Sequence, residues 1–240
     1  MNHRTFPMHK IIHKYKWLIF DADNTLFDYD QAEHKALLKT LDDFEIPYCE
    51  DNIIPTYHKI NHKLWMQFET GEIQSQAEIK HKRTKQLFDV LNVTREIDRF
   101  ADDYLFNLSQ NDQLLDNALR VIQTLSKSHQ MIIMTNGMTA VQKPRFNNSP
   151  IRKYFQHIVI SEEIKHSKPS IKIFEHAFKL MNLPDKKDVV MIGDNLGSDV
   201  QGGINYGIDT IWYNPNKLNK IQNATYELND LLHFIKKARN

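Results

Sequence analysis

Two acidic residues follow the apolar run from Trp17 to Phe20 near the start of the sequence. Asp21 and Asp23 stand two positions apart, so their side chains point the same way if the strand geometry continues past the run. Four apolar residues in succession are typical of a strand that is buried on both faces. Paired carboxylates after a buried parallel strand place negative charge at the edge of a sheet where open α/β folds bind ligands. The alternative is an acidic turn that follows a strand.

Three further polar segments lie at or between later apolar runs. Thr135 and Asn136 precede a glycine, so a hydroxyl and free backbone N–H groups there can bind a phosphate; a turn closed by the hydroxyl is the alternative. Lys168 precedes a proline, which stiffens its backbone, although most lysines are solvated at the surface. Asp194 and Asp199 form a second pair of acids beyond a buried strand, or belong to a Gly-rich turn with a helix cap.

The apolar runs are short and rich in β-branched residues, which predicts strands. They lie at residues 17–20, 131–135, 157–161, 189–194 and 210–213. Helical patterns separate the later runs, at residues 114–125, 151–155 and 171–181. Because strands that alternate with helices form right-handed crossovers and a parallel sheet, the sequence predicts an α/β domain.

A polar and charged segment from about residue 30 to 107 interrupts this pattern after the first strand. Apolar residues recur in it at helical spacing. The four stripes lie at residues 36–44, 60–68, 87–91 and 100–105. We therefore predict a bundle of about four helices inserted into the α/β domain.

The composition argues against several classes of partner. The chain has 240 residues and a net charge of +1, which gives no electrostatic case for binding nucleic acid or an anionic membrane. No apolar run approaches the roughly 20 residues of a membrane span. The single Cys49 forms no internal disulfide and fits a reducing compartment, so we expect a cytoplasmic protein. Residues 1–16 are basic, and we expect a loose extension rather than a signal peptide.

The order of these motifs resembles that of the haloacid dehalogenase superfamily, specifically its phosphatases. That family shows Asp-x-Asp-x-Thr after the first strand and Thr or Ser after the second. A Lys precedes the helix before the fourth strand, and Gly-Asp-x-x-x-x-Asp follows that strand. The corresponding positions here are Asp21 to Thr25, Thr135, Lys168, and Gly193 to Asp199. The resemblance covers the whole chain except about the first 15 residues.

The resemblance implies a Rossmann-like, doubly wound parallel sheet with an inserted helical cap. Residues 1–29 and 108–240 would form the catalytic core, and residues 30–107 the cap. Only one helix and one strand fit between Thr135 and Lys168, so the large insert lies before Thr135, as in family members with a helical cap after the first motif. Three stretches further resemble the bacterial pyrimidine 5′-nucleotidase branch: Leu26–Glu33, Met134–Gly137 and Gln201–Ile208.

The same resemblance implies a nucleophile, a metal and an acid–base group. Asp21 would attack the phosphate and form an aspartyl-phosphate. Mg²⁺ would be bound by the Asp21 carboxylate, the backbone carbonyl of Asp23, and Asp194. Lys168 adds positive charge, and we expect it and the metal to hold Asp21 ionised. Asp23 would act as general acid to the leaving oxygen and as general base to water.

The remaining positions of the motifs imply phosphate binding and positioning. Thr135, Asn136 and Lys168 would hold the transferring phosphoryl oxygens. Asp199 would orient Lys168 or a metal-bound water. The cap would close over the site and read the leaving group. Four aromatic residues could stack on a base, although a core or hinge role is favoured for each of them: Phe27, Tyr29, Trp65 and Phe68.

The resemblance therefore implies a Mg²⁺-dependent phosphatase, with a pyrimidine nucleoside monophosphate as the expected substrate. A sugar-phosphate phosphatase or phosphomutase with the same cap type is the first alternative. A haloacid dehalogenase shares the fold and the nucleophile but uses no metal and has no acid at the position of Asp23. A non-enzymatic binding module would have no need for all these groups together. The motifs predict no oligomeric state.

Overall fold

The structure is a computed structural model that describes residues 7–220 and 223–235. The chain forms two compact units. Unit 1 consists of the described residues of Met1–Asp28, Leu114–Gly137 and Ser149–Asn240. Unit 2 consists of Tyr29–Gln113 and Met138–Asn148.

Unit 1 contains a six-stranded sheet in which all neighbouring strands are parallel. In chain order the strands are β1 (Trp17–Phe20), β2 (Gln130–Thr135), β3 (His157–Ile160), β4 (Val189–Gly193), β5 (Asp209–Tyr213) and β6 (Tyr226–Leu228). Their order in the sheet is β3-β2-β1-β4-β5-β6, so β1 lies between β2 and β4. The predicted α/β fold with a parallel sheet is confirmed, whereas β6 was not predicted because its three residues carry no apolar run.

Helices connect the strands of unit 1 and make up unit 2. Within the described residues the α-helices are α1 (Met8–Ile11), α2 (Tyr29–Asp43), α3 (Glu50–Glu69), α4 (Gln76–Leu91), α5 (Ile97–Ser109), α6 (Ala118–Leu125), α7 (Thr139–Asn148), α8 (Ser161–Ile164), α9 (Ile171–Leu180) and α10 (Gln201–Tyr206). None of them is long and apolar enough to cross a bilayer.

The bundle of about four helices is present as α2 to α5, which bury a common apolar core. The compact units nevertheless differ from the predicted domain boundaries. Residues 108–113 and 138–148, which the sequence assigned to the core, belong to unit 2. The second segment carries α7, whose Val141 is 3% exposed and joins the core of the bundle.

Two local features differ from the expectations. The short helical stretch expected at residues 151–155 is present as a 3₁₀ turn at Arg152–Tyr154, but the longer helix α7 between β2 and β3 was not expected. A proline inside a segment argues against a helix, and Pro144 lies in the interior of α7, so the sequence pattern did not predict this helix. The expected loose extension is instead folded from residue 8 onward, because Met8, Ile11, Ile12 and Tyr15 are buried. Residues 1–6 lie outside the described residues.

The chain leaves unit 1 after β1 and returns before α6 at neighbouring points. Phe27 pairs with Leu114 in an isolated antiparallel bridge. The Leu115 N–H donates a hydrogen bond to the Leu26 carbonyl at 2.9 Å. These contacts hold together the two ends of the long excursion that carries α2 to α5.

Candidate active site

Two acids of the first and last motifs meet at one edge of the sheet. Asp21 directly follows β1 and Asp194 directly follows β4, and these strands are neighbours. The Asp21 N–H continues the ladder by donating to the Ile192 carbonyl at 2.8 Å. Because the carboxyl ends of parallel strands share an edge, strand order alone brings these two residues together.

The Lys168 ammonium lies at the centre of the site and is only 1% exposed. Its Nζ donates to Asp21 Oδ1 at 2.5 Å, to Asp199 Oδ1 at 2.7 Å and to the Met134 carbonyl at 2.9 Å. Three acceptors use all three of its N–H bonds. Lys168 is therefore not the solvated surface lysine of the alternative interpretation, and it pairs with both acids that the motifs place near it.

The side-chain amide of Asn136 binds the backbone of Lys168. Its side-chain Nδ2 donates to the Lys168 carbonyl at 2.9 Å, and its Oδ1 accepts the Lys168 N–H at 2.8 Å. The predicted phosphate-binding role of Asn136 stays a prediction. The buried Thr135 hydroxyl, 1% exposed, accepts the Gly137 N–H at 3.0 Å and so shapes the same turn.

Asp199 is held in the tight turn after β4. Its Oδ2 accepts the Asn195 N–H at 3.1 Å, while its Oδ1 faces Lys168. A Cβ atom on Gly193 would lie 2.2 Å from Asp199 Oδ2, so only glycine fits beside it. The helical turn Leu196–Val200 is capped by Asn195, whose Oδ1 accepts two backbone N–H groups, and not by Asp199. This arrangement agrees with the predicted role of Asp199 as an orienting group for Lys168.

Asp194 is fixed by residues from both neighbouring strands. Its N–H donates to Thr25 Oγ1 at 3.1 Å, and the Thr25 hydroxyl lies 3.3 Å from Asp194 Oδ1. The Trp212 indole Nε1 donates to the Asp194 carbonyl at 2.9 Å. The sequence pattern identified Trp212 only as part of a strand, since a hydrogen bond across strands depends on a register that spacing does not reveal.

Asp23 lies in the turn that ends β1. Asn24 has a positive φ of 57°, which asparagine tolerates, and its N–H donates to the Phe27 carbonyl at 2.8 Å. Asp23 is partly exposed, unlike the buried Asp21. The two acids of the first motif therefore occupy different environments. The roles of Asp23 as proton donor and as backbone ligand stay predictions.

The donor set of the site fits Mg²⁺. Across the described part of the chain, one group of three metal-ligating side chains lies close enough to share an ion: carboxylate oxygens of Asp21, Asp194 and Asp199 are within 4.8 Å of one another. Three carboxylates face a single ammonium, so a divalent cation would neutralise the excess negative charge. Both oxygens of Asp199 already accept hydrogen bonds. Asp21 and Asp194 are therefore the better-placed ligands, and hard oxygen donors are what Mg²⁺ prefers.

The pKa shifts record the same excess of negative charge. Burial raises the pKa of Asp21 to about 7; the Lys168 ammonium opposes this rise, and the charges of Asp199 and Asp23 add to it. Burial and the charges of Asp21 and Asp199 raise the pKa of Asp194 well above its usual range. Lys168 favours the ionised form of Asp21, and the expectation that it does so together with a bound metal stays a prediction. Burial lowers the pKa of Lys168, but Asp199 and Asp21 raise it above its ordinary value.

Residues 15–207 match the family model described as haloacid dehalogenase-like hydrolase. The chain belongs to this family. The resemblance that the motifs indicated is thereby confirmed, and so is the prediction that the chain is an enzyme.

Individual members of the haloacid dehalogenase-like hydrolases are similar over most of this chain. The pyrimidine 5′-nucleotidase PynA of Streptococcus pneumoniae is 35% identical over 93% of this chain and 96% of its own. The pyrimidine 5′-nucleotidase YjjG of Escherichia coli is 32% identical over 84% of this chain and 87% of its own. The solved structure of the HAD-hydrolase YfnB of Bacillus subtilis, which was bound to magnesium, is 30% identical, with a TM-score of 0.85 and coverage of 91% and 96%.

The aromatic residues considered for base stacking are engaged in packing in this haloacid dehalogenase-like hydrolase. Phe27 is 0% exposed within unit 1. Within unit 2, the Trp65 and Phe68 rings meet edge to face at 5.7 Å. The Tyr29 hydroxyl accepts a hydrogen bond from Asn61 at 3.2 Å. These contacts agree with the favoured core or hinge roles.

Proposed function

We propose that the chain is a Mg²⁺-dependent phosphomonoester hydrolase that removes phosphate from pyrimidine nucleoside 5′-monophosphates through an aspartyl-phosphate on Asp21. One observation carries the chemistry. The Lys168 ammonium lies 2.5 Å from Asp21 Oδ1, inside a cluster whose other carboxylates belong to Asp194 and Asp199. A carboxylate that a lysine orients at the carboxyl edge of the sheet can act as a nucleophile, and the acids around it suit a cation.

Asp21 carries out the first chemical step. One of its oxygens attacks phosphorus, a new phosphorus–oxygen bond forms, and the bond to the leaving nucleoside oxygen breaks. Lys168 holds the carboxylate in place and stabilises the charge on the phosphoryl oxygens. Asp199 keeps the ammonium of Lys168 aimed at Asp21 through its 2.7 Å hydrogen bond.

Asp23 handles the protons of both steps. It gives its proton to the leaving oxygen, and then takes one from the water that attacks phosphorus and regenerates Asp21. Two carboxylates in one motif need different protonation states for this. Asp21 is buried and Asp23 is partly exposed, so the two carboxyl groups differ in solvation, as two such roles require.

Backbone groups and the metal complete the site. The Thr135 hydroxyl and the backbone N–H of Asn136 would bind the phosphoryl oxygens. The carboxylates of Asp21 and Asp194, with the carbonyl of Asp23, would hold Mg²⁺. When bound, this ion supplies the positive charge that lets an anionic nucleophile approach a phosphate dianion.

The substrate class rests on the relatives. Two proteins that are 35% and 32% identical to this chain are pyrimidine 5′-nucleotidases. Unit 2 is inserted directly after the first motif, and we assign to it the recognition of the leaving nucleoside. A sugar-phosphate phosphatase would use the same catalytic groups, so only a comparison of substrates distinguishes that function from the proposed one. A dehalogenase does not need the acid at Asp23.

A phosphate-release panel tests the proposal. Uridine and thymidine 5′-monophosphates, purine monophosphates, sugar phosphates and a 2-haloacid are compared with Mg²⁺ and with excess chelator. We expect kcat/KM for the pyrimidine nucleotides to exceed that for sugar phosphates by at least about tenfold. Chelation should abolish turnover. Asp21→Asn should be inactive, whereas the exposed Asp185→Asn should match the wild type.

Two outcomes of that panel contradict the proposal in different ways. Preference for sugar phosphates would overturn the substrate assignment and leave the chemistry. Full turnover in chelator, or by a folded Asp21→Asn variant, would overturn the chemistry itself. Detection of phosphate on Asp21 that survives an acid quench and is released by base would support the covalent step directly.

A further inference from the structure

We propose that Trp212 is a positioning residue, whose indole N–H fixes the main chain of Asp194 and thereby strengthens Mg²⁺ binding. This inference rests on the proposed function, because it takes Asp194 to be a metal ligand. Trp212 is 3% exposed and lies on β5, outside the motifs that define the family.

The strand register places Trp212 beside the metal-ligand turn. Trp212 is the Cα partner of Gly193, which directly precedes Asp194 at the end of β4. Its indole Nε1 reaches forward by one residue and donates to the Asp194 carbonyl at 2.9 Å. An indole N–H is a donor only and needs an acceptor when buried, so the bond satisfies both groups.

With this bond, both backbone groups of Asp194 are bound by side chains. The N–H donates to Thr25 Oγ1 at 3.1 Å, and the carbonyl accepts from Trp212. The two partners lie on opposite sides of β4, since Thr25 follows β1 and Trp212 is in β5. The carboxylate of Asp194 therefore extends from a backbone that is held between two neighbouring strands.

The charge of the cluster explains why such an anchor matters. The carboxylates of Asp21, Asp194 and Asp199 lie within 4.8 Å of one another, so like charges repel Asp194 from the position a shared cation requires. Lys168 contacts Asp21 and Asp199 but makes no bond to Asp194 among those described. Asp194 is thus held by the Thr25 hydroxyl and by its two backbone contacts, and Trp212 supplies one of those contacts.

The first test removes the N–H donor and compares the variant with one that has a similar loss of ring volume elsewhere. Trp212→Phe keeps an aromatic ring on β5, and Trp17→Phe is the matched control, a buried tryptophan at the amino end of β1, away from the acids. Mg²⁺ binding is measured by calorimetry on the intact, substrate-free protein. We expect Trp212→Phe to weaken Mg²⁺ binding by roughly three- to tenfold, the net worth of one hydrogen bond, while Trp17→Phe leaves it unchanged. Melting temperatures of the two variants show whether packing losses are comparable.

The second test leaves Trp212 in place, so it stands even if the variant does not fold. The chain has three tryptophans, whose indole N–H signals can be assigned in nitrogen-labelled protein from Trp17→Phe and Trp65→Phe. We expect the Trp212 signal to shift on Mg²⁺ addition with the same Kd as calorimetry, and Asp194→Asn to remove that shift.

The outcomes separate this inference from the function on which it rests. A wild type that hydrolyses phosphomonoesters with Mg²⁺, together with a Trp212→Phe variant of unchanged Mg²⁺ affinity, overturns the positioning role alone. A Trp212 indole N–H signal that does not shift on Mg²⁺ addition also overturns the positioning role alone. A wild type that neither binds Mg²⁺ nor releases phosphate overturns both.

Discussion

The side-chain amide of Asn136 binds both backbone groups of Lys168, with hydrogen bonds of 2.9 and 2.8 Å. This reciprocal pair joins the turn after β2 to the segment before α9. It fixes the backbone from which the Lys168 ammonium reaches Asp21 and Asp199. Asn136 therefore helps to set the position of the Lys168 ammonium through the backbone of that residue.

Removing that pair should lower turnover more than substrate binding. Asn136→Ala deletes two hydrogen bonds, each worth about 0.5–1.5 kcal/mol, and lets Lys168 shift. We expect kcat to fall by up to about 10²-fold, with little change in KM. Steady-state kinetics on a nucleotide decide this, with the exposed Asn148→Ala as control. A raised KM at unchanged kcat would instead show that the side chain binds phosphate.

The buried ion pairs predict a non-additive double substitution. Lys168→Met leaves Asp21 and Asp199 facing each other without a cation, and loss of one partner of a buried pair costs about 3–5 kcal/mol. Adding Asp199→Asn removes one of the stranded charges, so the double variant should be more stable than Lys168→Met alone. Urea unfolding in chelator measures both. A double variant that is no more stable than Lys168→Met would show that the three charges do not act as a unit.

The metal-free protein should lose stability as pH rises toward neutrality. The pKa of Asp21 is raised from its ordinary 3.8 to about 7, chiefly by burial. The folded state therefore holds this proton more tightly than the unfolded state does. Its contribution to the free energy of unfolding is fully present below pH 3.8 and is lost as pH rises to about 7.

Asp21→Asn removes that titration, so in chelator its unfolding free energy should fall less than that of the wild type between pH 5 and pH 8. Excess Mg²⁺ should shrink the difference by restoring wild-type stability at high pH. Denaturant unfolding at the two pH values measures both effects. If the unfolding free energies of the two proteins in chelator change in parallel with pH, the raised pKa of Asp21 is contradicted.

Asp23→Asn should separate the two chemical steps. Proton transfer by a placed side chain is worth roughly 10²–10⁴-fold, so nucleotide hydrolysis should slow by that order. An activated aryl phosphate leaves without a proton, so it should give a burst of aryl alcohol and then stall as the phosphoenzyme. Stopped-flow absorbance follows the burst. Equal slowing of both substrates without a burst would show that Asp23 is not the acid–base group.

The sequence predicted the parts of the site that depend on strand order. Asp21 and Asp194 each directly follow an apolar run, which predicted that they lie at the carboxyl edge of a parallel sheet. The places of Lys168 and Asp199 in the site were implied by the resemblance to the family. The contacts of Asn136 and Trp212 were not predictable in this way. They depend on the path of a turn and on the register of β5 against β4, which spacing along the chain does not encode.

The helices α7 and α1 were missed for equally local reasons. The helix α7 has Pro144 in its interior and a polar sequence, so its periodicity is weak, yet Val141 is buried in unit 2. The apolar residues of α1 are few, and their burial depends on packing that no short-range pattern shows. Helices of this kind are specified by their neighbours rather than by their own propensity.

The bridge between Phe27 and Leu114 and the hydrogen bond from Leu115 to Leu26 have a consequence for how the chain folds. The adjacent strands β1 and β2 are far apart in sequence, and joining them across a disordered excursion would carry a large entropic cost. The bridge and the hydrogen bond close the excursion at its base, so a folded bundle of α2 to α5 shortens the effective loop between β1 and β2. The entropic cost of pairing these two strands is then lower than their separation along the sequence implies.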